Sequence, residues 1–266
     1  MPGQLESVRC SKATLLLLAP GAIITLNGTA LDLPFMTAFT IRGVGAAGAT
    51  IDAGGLSRVL TIGGGLMYGA TGRRGRALGG QYQGVNVELI NVHLTGGIAD
   101  EGGAVFIDGV GQPATLTMYG GSITASQAVG GGTSETDGGG GGLLVVGSGI
   151  TIVPGDTKTV TSVMMYGVDV SGGIAATDGG CVLVKEAAYV MSGVKISGCN
   201  AGRHGGGLFT ESSTASTIFS SMISHSVAAE SGGGYFQKGG SAALSRVVVD
   251  TCRTTKLETT NGNTNE

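Results

Sequence analysis

An internal repeat is the feature of this sequence that most restricts its fold. Six segments of similar pattern align, each on one apolar position: Leu89, Met118, Met165, Met191, Ile218 and Leu244. The steps between these positions are 29, 47, 26, 27 and 26 residues. A second signature, a double glycine followed by apolar residues, comes about fifteen residues after most of them. The two signatures recur as one unit, which indicates a chain of stacked copies.

The unit predicts short strands joined by tight turns. It has no helical periodicity, and it is too short for a strand–helix–strand crossover. Glycine numbers 53 of 266 residues, and each glycine inside a helix costs about 1 kcal/mol, so a helical repeat is disfavoured. Stacked strands of this kind lie in parallel register about 4.8 Å apart. We therefore predict an all-β protein, a single-stranded right-handed parallel β-helix.

The repeat also predicts the organisation of the chain. The β-helix is expected over residues 15–252, after an N-terminal lead of residues 1–14. Loop insertions are expected near residues 63–84 and 129–161, where glycine-rich or aperiodic stretches interrupt the units. Residues 253–266 lack apolar periodicity and are expected to form a flexible tail. The C-terminal edge of the sheets is expected to pair with further chain or with another subunit.

Aligned units place individual side chains in columns. One inward column is expected to hold Val92, Val168, Val194 and Val247. A second is expected to hold Leu94, Ile123, Val170, Ile196, Ile223 and Val249. The residues between them should point outward: His93, Ser122, Asp169, Lys195, Met222 and Val248. In the strand after the double glycine, we expect one stack of Ile107, Leu183, Phe209 and Phe236.

These motifs resemble a known group of proteins. The segment TIRGVGAAGATIDAGG at 40–55, followed by repeated GG-A-V-F-I or GG-G-L-F elements, resembles the β-helix regions of polymorphic outer-membrane proteins and related surface proteins. Those proteins share the pectin-lyase-like fold. The resemblance spans roughly residues 15–252, and it implies display at the cell surface or outside the cell, together with binding.

Charge and hydropathy argue against two classes of partner. The net charge is −3, so the chain has no general attraction for nucleic acid, and a GRRGR segment with Arg73, Arg74 and Arg76 is expected to be a solvated loop. The longest N-terminal apolar run, residues 15–19, ends at Pro20 and is too short to span a bilayer or to serve as a secretory signal. We expect no nucleic-acid partner and no membrane span.

The turn before the double glycine is the strongest candidate for a binding site. The alignment places Glu101, Thr177, Arg203 and Glu230 in one column, with Asp178 and His204 in the next. Such a strip has the charges and hydrogen-bonding groups to bind a sugar or a cation, although solvated turns favour the same residues for structural reasons. The binding residues proposed from the sequence are Asp178, Arg203, His204 and Glu230.

Two other features have a functional and a structural interpretation. Lyases and hydrolases of the pectin-lyase-like fold use clustered carboxylates, but the only adjacent charges on the outward column are Asp169 and Lys195, which are expected to form an ion pair. A hydroxyl ladder consists of Thr95, Thr124, Ser171, Ser197 and Ser224, and it ends at Asp250. It would suit an ice or crystal surface, but bonds between rungs are the favoured interpretation.

The cysteines and short motifs add little. Cys10, Cys181, Cys199 and Cys252 lack zinc-ligand spacing, so no metal or cofactor is expected. Cys199 and Cys252 share a column two rungs apart, beyond disulfide reach, and are expected to be buried and reduced. Asn27 begins an Asn-Gly-Thr glycosylation pattern that is also an ordinary turn sequence.

Together these patterns predict a non-catalytic, adhesin-like β-helix module outside the cell or on its surface, contacting carbohydrate or a surface protein. The alternative is a polysaccharide lyase or glycoside hydrolase of the same fold, and a weaker alternative is ice binding.

Overall fold

The protein is a parallel β-helix built from four sheets. The computed structural model describes residues 14–33, 38–63, 84–110, 112–130, 138–147, 160–213 and 216–256. Every strand pair in this part of the chain is parallel, and each strand pairs with its equivalent in the next unit. We number the sheets in the order in which one turn of the chain, or rung, visits them. The predicted right-handed parallel β-helix is confirmed.

Among the described residues, sheets I and II each contain eight strands. The strands of sheet I are Thr14–Leu18, Ala38–Gly43, Val85–Ile90, Ala114–Tyr119, Ser162–Tyr166, Ala188–Ser192, Ser216–Phe219 and Ala242–Ser245. The strands of sheet II are Ile23–Thr25, Ala49–Asp52, Val92–Thr95, Ser122–Thr124, Asp169–Ser171, Lys195–Ser197, Met222–Ser224 and Val248–Asp250.

Sheet III is narrow and sheet IV follows the glycine-rich turn. The strands of sheet III are Ile98–Ala99, Gln127–Ala128, Ile174–Ala175, Asn200–Ala201, Val227–Ala228 and Arg253–Thr254. The strands of sheet IV are Leu31–Leu33, Leu60–Gly63, Val105–Asp108, Leu143–Val146, Val182–Lys185, Leu208–Glu211 and Tyr235–Lys238. Arg253–Thr254 belong to the solenoid, although the sequence assigns them to the predicted tail, and residues 257–266 lie outside the described residues.

The corners between sheets explain the glycine content. The residue after each of the last six sheet I strands has a positive φ, and this column contains Asn91, Gly120, Gly167, Gly193, Ser220 and Arg246. Only glycine adopts this conformation without steric cost, so a helix with several such corners per rung selects glycine strongly.

The interior is a column of aliphatic side chains, as predicted. Val92, Val168 and Val194 are fully buried, and Val247 is partly buried at the last rung. The outward column of sheet II is also confirmed, because Asp169 pairs with Ser122 and with Lys195. Val249 occupies its predicted column but is half exposed, since no described rung lies beyond it.

One predicted stack is wrong by one residue. Phe106, not Ile107, aligns with Leu183, through Leu144, while Ile107 aligns with Val145. Because side chains alternate between faces, this shift puts Ile107 in the core and Phe106 on the outer face of sheet IV. Here Leu144, Leu183 and Phe209 form a second apolar cluster, separate from the core.

The prediction for the cysteines is also wrong. Cys181 and Cys199 form a disulfide between adjacent rungs, and both are buried. Cys181 and Cys199 lie in different columns, before strands of sheets IV and III, so the repeat does not indicate that they are neighbours. Cys252 is free and partly exposed, and Cys10 lies outside the described residues.

Candidate functional site

The predicted binding residues lie at the turn between sheets III and IV on consecutive rungs. The His204 carbonyl accepts a hydrogen bond from the amide of Gly179, which follows Asp178, at 2.9 Å. The Arg203 amide donates to Thr177 at 2.9 Å, and the Glu230 amide donates to Arg203 at 2.7 Å. These backbone bonds place Thr177, Arg203 and Glu230 in one column and Asp178 and His204 in the next, as predicted.

Glu101 does not join the column to which the sequence assigns it. The Gly138 amide bonds to the carbonyl of Asp100, and the Thr177 amide bonds to the carbonyl of Gly138. Asp100, not Glu101, is therefore level with Thr177, and Glu101 is level with Asp178. The error arose because the double glycines were aligned one position apart in different units.

The local sequence fixes this turn tightly. Gly205 follows His204 with a φ of 64°, which favours glycine. A Cβ at the next residue, Gly206, would overlap the carbonyl oxygen of Gly233 on the following rung. Adjacent rungs approach each other here by backbone alone, so the side chains just before the glycines are held level with one another.

Asp178 is the centre of the cluster. One of its carboxylate oxygens accepts a hydrogen bond from the Arg203 guanidinium at 2.5 Å, and the other accepts from the His204 amide at 3.1 Å. The Asp178 side chain is 7% exposed, whereas that of Arg203 is 45% exposed. The carboxylate is thus used to orient the arginine, and the arginine is the group that solvent reaches.

His204 and Glu230 complete the cluster. The His204 Nε2 lies 3.7 Å from a Glu230 carboxylate oxygen. The imidazole stacks on the Phe236 ring with centroids 4.8 Å apart, and on Phe209 at 6.4 Å. Its Nδ1 is buried and has no hydrogen-bond partner among the described residues. All four residues proposed from the sequence therefore come together on one surface, which we call the polar strip.

Arg58 extends this surface and was not predicted. Its guanidinium donates to the carbonyls of Glu101 and Gly102 at 2.5 and 3.0 Å, and it covers the Phe106 ring at 5.0 Å. Burial lowers the pKa of Arg58 below its usual value, an effect that the Glu101 carboxylate partly offsets. Arg58 precedes a strand directly, without the double glycine that marks later units, so the repeat pattern did not identify it.

A charge ladder runs along the outer face of sheet IV. The Glu211 carboxylate lies 3.5 Å from the Lys185 ammonium and 2.7 Å from that of Lys238. Lys185, Glu211 and Lys238 occupy one column, so successive rungs carry alternating charge. Each of these charges has an opposite charge on the neighbouring rung, which is a structural role for the ladder.

The other sequence candidates have structural roles. Thr124 donates a hydrogen bond to Thr95 at 3.1 Å, which joins neighbouring rungs of the hydroxyl ladder. Lys195 and Asp169 form the expected exposed ion pair at 4.0 Å. Arg73, Arg74 and Arg76 lie outside the described residues, and Asn27 is exposed in a bend.

The described residues contain no group of three or more His, Cys, Asp or Glu side chains placed to hold a metal ion. No helix in the described part has the apolar length that crossing a membrane requires. Comparisons with protein-family models, curated proteins and solved structures found no match to this chain.

Proposed function

We propose that the chain is a non-catalytic β-helix module outside the cytoplasm, extracellular or at a cell surface, that binds a carbohydrate or protein partner through the polar strip. The observation that carries this proposal is the engagement of Asp178. Both of its oxygens are occupied by groups of the protein itself, Arg203 and the His204 amide. A carboxylate held in this way is a positioning group rather than a base.

The exposed groups suit recognition. Arg203 and Glu230 present opposite charges side by side, and the His204 ring is backed by Phe236. A guanidinium already oriented by a buried carboxylate loses little side-chain freedom on binding, which favours affinity. Recognition surfaces typically combine charged groups, hydrogen-bonding groups and an aromatic ring, and the polar strip brings all three together.

The disulfide supports the proposed location. Disulfides persist in oxidising compartments and are rare in the cytosol. Cys181 and Cys199 are fully buried around their bond, which fits a structural rather than a redox-active disulfide. The resemblance to surface β-helix proteins favours the same location.

Binding to an array of neutral and acidic oligosaccharides, and to a panel of surface proteins, tests this function. The double variant with Arg203→Ala and Glu230→Ala should bind the partner at least tenfold more weakly than the wild type. Its circular dichroism spectrum should be that of the wild type. Arg253→Ala, an exposed arginine on the last rung, is the matched control and should bind normally. Equal binding by the double variant and the control would refute the role of the polar strip.

The same preparation tests the enzyme alternative. Incubation with pectate and alginate, with and without calcium, should leave both polymers intact. Unsaturated products or new reducing ends would show catalysis and contradict the proposal.

A further inference from the structure

A ladder of aromatic rings follows the outer face of sheet I and is interrupted at one rung. Tyr119 pairs with Tyr166, Tyr166 with Ser192, and Ser192 with Phe219. These residues therefore occupy one outward column on four successive rungs. Three of the four carry a ring, and the third position carries only a hydroxymethyl group.

Rings in such a column stack at the spacing of the rungs. The Tyr119 and Tyr166 centroids are 5.2 Å apart with an interplanar angle of 12°. On sheet IV, Phe209 and Phe236 of adjacent rungs repeat the arrangement at 5.6 Å and 12°. Parallel β-stacking thus presents equivalent side chains at a distance that suits ring stacking.

Tyr166 and Phe219 are two rungs apart, which corresponds to about 10 Å. That separation accommodates one additional ring with about 5 Å to each neighbour. The face of Phe219 that points away from Ser192 is covered by the Arg246 guanidinium, which comes from the following rung and lies 4.4 Å from the ring centroid. The face that points toward Ser192 is the one left for a ligand. We call the space between the two rings the Ser192 slot.

The surroundings of the slot are open on one side. The corner beside the slot is formed by Gly167, Gly193 and Ser220, and a Cβ at Gly167 would meet nothing within 4 Å. The corner therefore carries no side chain on the rungs of Tyr166 and Ser192. Beyond it, Lys195 of the same rung as Ser192 and its partner Asp169 are exposed.

We propose that the Ser192 slot binds one pyranose ring of a glycan, stacked between Tyr166 and Phe219. A pyranose has two faces rich in C–H bonds and a rim of hydroxyl groups. The two aromatic walls match the faces, while the Ser192 and Tyr166 hydroxyls and the Lys195–Asp169 pair provide hydrogen-bonding groups for the rim. An aromatic side chain would match the walls equally, but it would make no hydrogen bonds to these polar groups.

This site is separate from the polar strip, because it lies on sheet I rather than at the turn before sheet IV. A glycan chain that crosses the corner at Gly193 would run along the rung, from sheet I onto sheet II. The proposal therefore identifies a second binding surface, and it does not rest on the polar strip.

Saturation-transfer-difference NMR with a panel of methyl pyranosides and short neutral oligosaccharides tests the proposal. Wild-type protein should bind at least one of these sugars, with the strongest transfer to ring C–H protons. Ser192→Phe fills the slot with a fourth stacked ring and should reduce binding at least tenfold, with an unchanged or raised melting temperature.

Ser245→Phe is the matched control. Ser245 pairs with Phe219 on its other side, so this variant adds the same ring to the same column outside the slot. It should bind as the wild type does. Should Ser192→Phe not fold, Tyr166→Ala removes one wall instead and should also lose binding.

Three results would overturn the proposal: no binding of any sugar by the wild type, equal binding by Ser192→Phe and Ser245→Phe, or binding abolished by Arg203→Ala but not by Ser192→Phe. The last would place the sugar on the polar strip, so the two proposals can fail separately.

Discussion

The middle rungs and the last three rungs share one backbone geometry but differ in what fills the interior. In the inward column of sheet I, Val87, Leu116 and Val163 are followed by Tyr189. The next position is Ser216, whose Oγ accepts a hydrogen bond from the Tyr189 amide at 3.3 Å. The column thus changes from aliphatic to hydroxyl-bearing residues along the solenoid.

Sheet IV shows the same change. Ile107, Val145 and Val184 occupy one inward column, which continues with Thr210 and Gln237. The interior of the C-terminal rungs therefore contains groups that require hydrogen-bond partners, whereas the middle is stabilised by apolar burial.

The serines of the C-terminal rungs bond to backbone groups. Ser221 Oγ donates to Phe219 at 2.9 Å and accepts from the Val194 amide at 3.1 Å. Ser226 Oγ donates to Ser224 at 3.0 Å and accepts from the Cys199 amide at 3.4 Å. A hydroxyl can thus replace a buried methyl group where the corner backbone provides both partners. The comparison teaches that each inward column must be packed with side chains. Apolar side chains do this in the middle rungs, and hydroxyl groups bonded to the backbone do it in the C-terminal rungs.

The last described rung also opens to solvent. Leu244 and Val249 belong to inward columns but are about half exposed, and a cavity of about 320 Å³ lies among them, Ile218, Tyr235 and Arg246. We therefore expect the C-terminal rungs to be less stable than the middle rungs.

The largest expected difference concerns one column of the core. Leu89 and Leu244 are equivalent positions, and Leu89 is fully buried whereas Leu244 is 52% exposed. Leu89→Ala should lower the free energy of unfolding by about 2–5 kcal/mol, and Leu244→Ala by less than about 1 kcal/mol. Urea denaturation monitored by circular dichroism measures both. Equal losses would show that the two regions are equally well packed.

The disulfide gives the next effect. It closes a segment with a sequence separation of 18 residues and joins the last middle rung to the first C-terminal rung, so Cys181→Ser should cost about 3 kcal/mol. Gly234 and Cys252 hold the equivalent positions two rungs later, and a Cβ at Gly234 would lie 2.9 Å from the Cys252 Sγ.

Gly234→Cys should therefore form a second disulfide and raise the melting temperature in the oxidised protein only. Mass spectrometry of the unreduced protein detects the bond. A Cys252 thiol that stays free in unreduced Gly234→Cys would mean that the C-terminal rungs do not repeat the geometry of the middle.

A smaller difference in stability is expected when a glycine of the double-glycine motif is replaced by alanine in each region. A Cβ at Gly180 would overlap the carbonyl oxygen of Gly206, and a Cβ at Gly233 would overlap that of Arg253. Gly206 is buried among further rungs, but Arg253 lies in the last strand and is exposed, so it is able to move. Gly180→Ala should cost about 2–3 kcal/mol and Gly233→Ala about 1 kcal/mol. The melting temperatures of the two variants measure these costs. A larger loss in Gly233→Ala than in Gly180→Ala would contradict the claim that the last strand is less rigid than the middle rungs.

The smallest effect is a pH dependence of the C-terminal interior. Burial raises the pKa of the Tyr189 phenol above its usual value, and its hydroxyl lies 3.3 Å from that of Tyr235. Because the phenol loses its proton at lower pH in the unfolded chain than in the folded one, Tyr189 contributes its full stabilisation below about pH 10. This contribution is lost as the pH rises above that value. Tyr189→Phe should reduce this loss between pH 9 and about pH 11, measured as melting temperature against pH. An identical profile for the variant would exclude Tyr189 as the cause.

The repeat alone predicted the architecture, because a period of 26–27 residues with two strand signatures allows few other folds. It also predicted that Asp178, Arg203, His204 and Glu230 meet, since residues at equivalent positions become neighbours. The repeat predicted the wrong positions for Ile107 and Glu101. At both places the units were out of register by one residue, which moves a side chain to the other face of the sheet or to another column.

The repeat does not predict contacts between residues of different columns. The Cys181–Cys199 bond and the Arg58 contacts join positions with no shared place in the repeat. The stacking of His204 on Phe236 likewise depends on how two corners face each other. Periodicity aligns equivalent residues, but it carries no information about distances across the rung.

The central claim is that equivalent positions of successive units are stacked in register, and a distance between spin labels on one outward column tests it most directly. His93 and Met222 lie in the same column of sheet II, four rungs apart. With Cys10 and Cys252 both replaced by serine and labels attached at cysteines introduced at these two positions, double electron–electron resonance should give a narrow distribution near about 19 Å between the attachment points. A broad distribution, or one centred beyond about 30 Å, would contradict the stacked helix and every site derived from it.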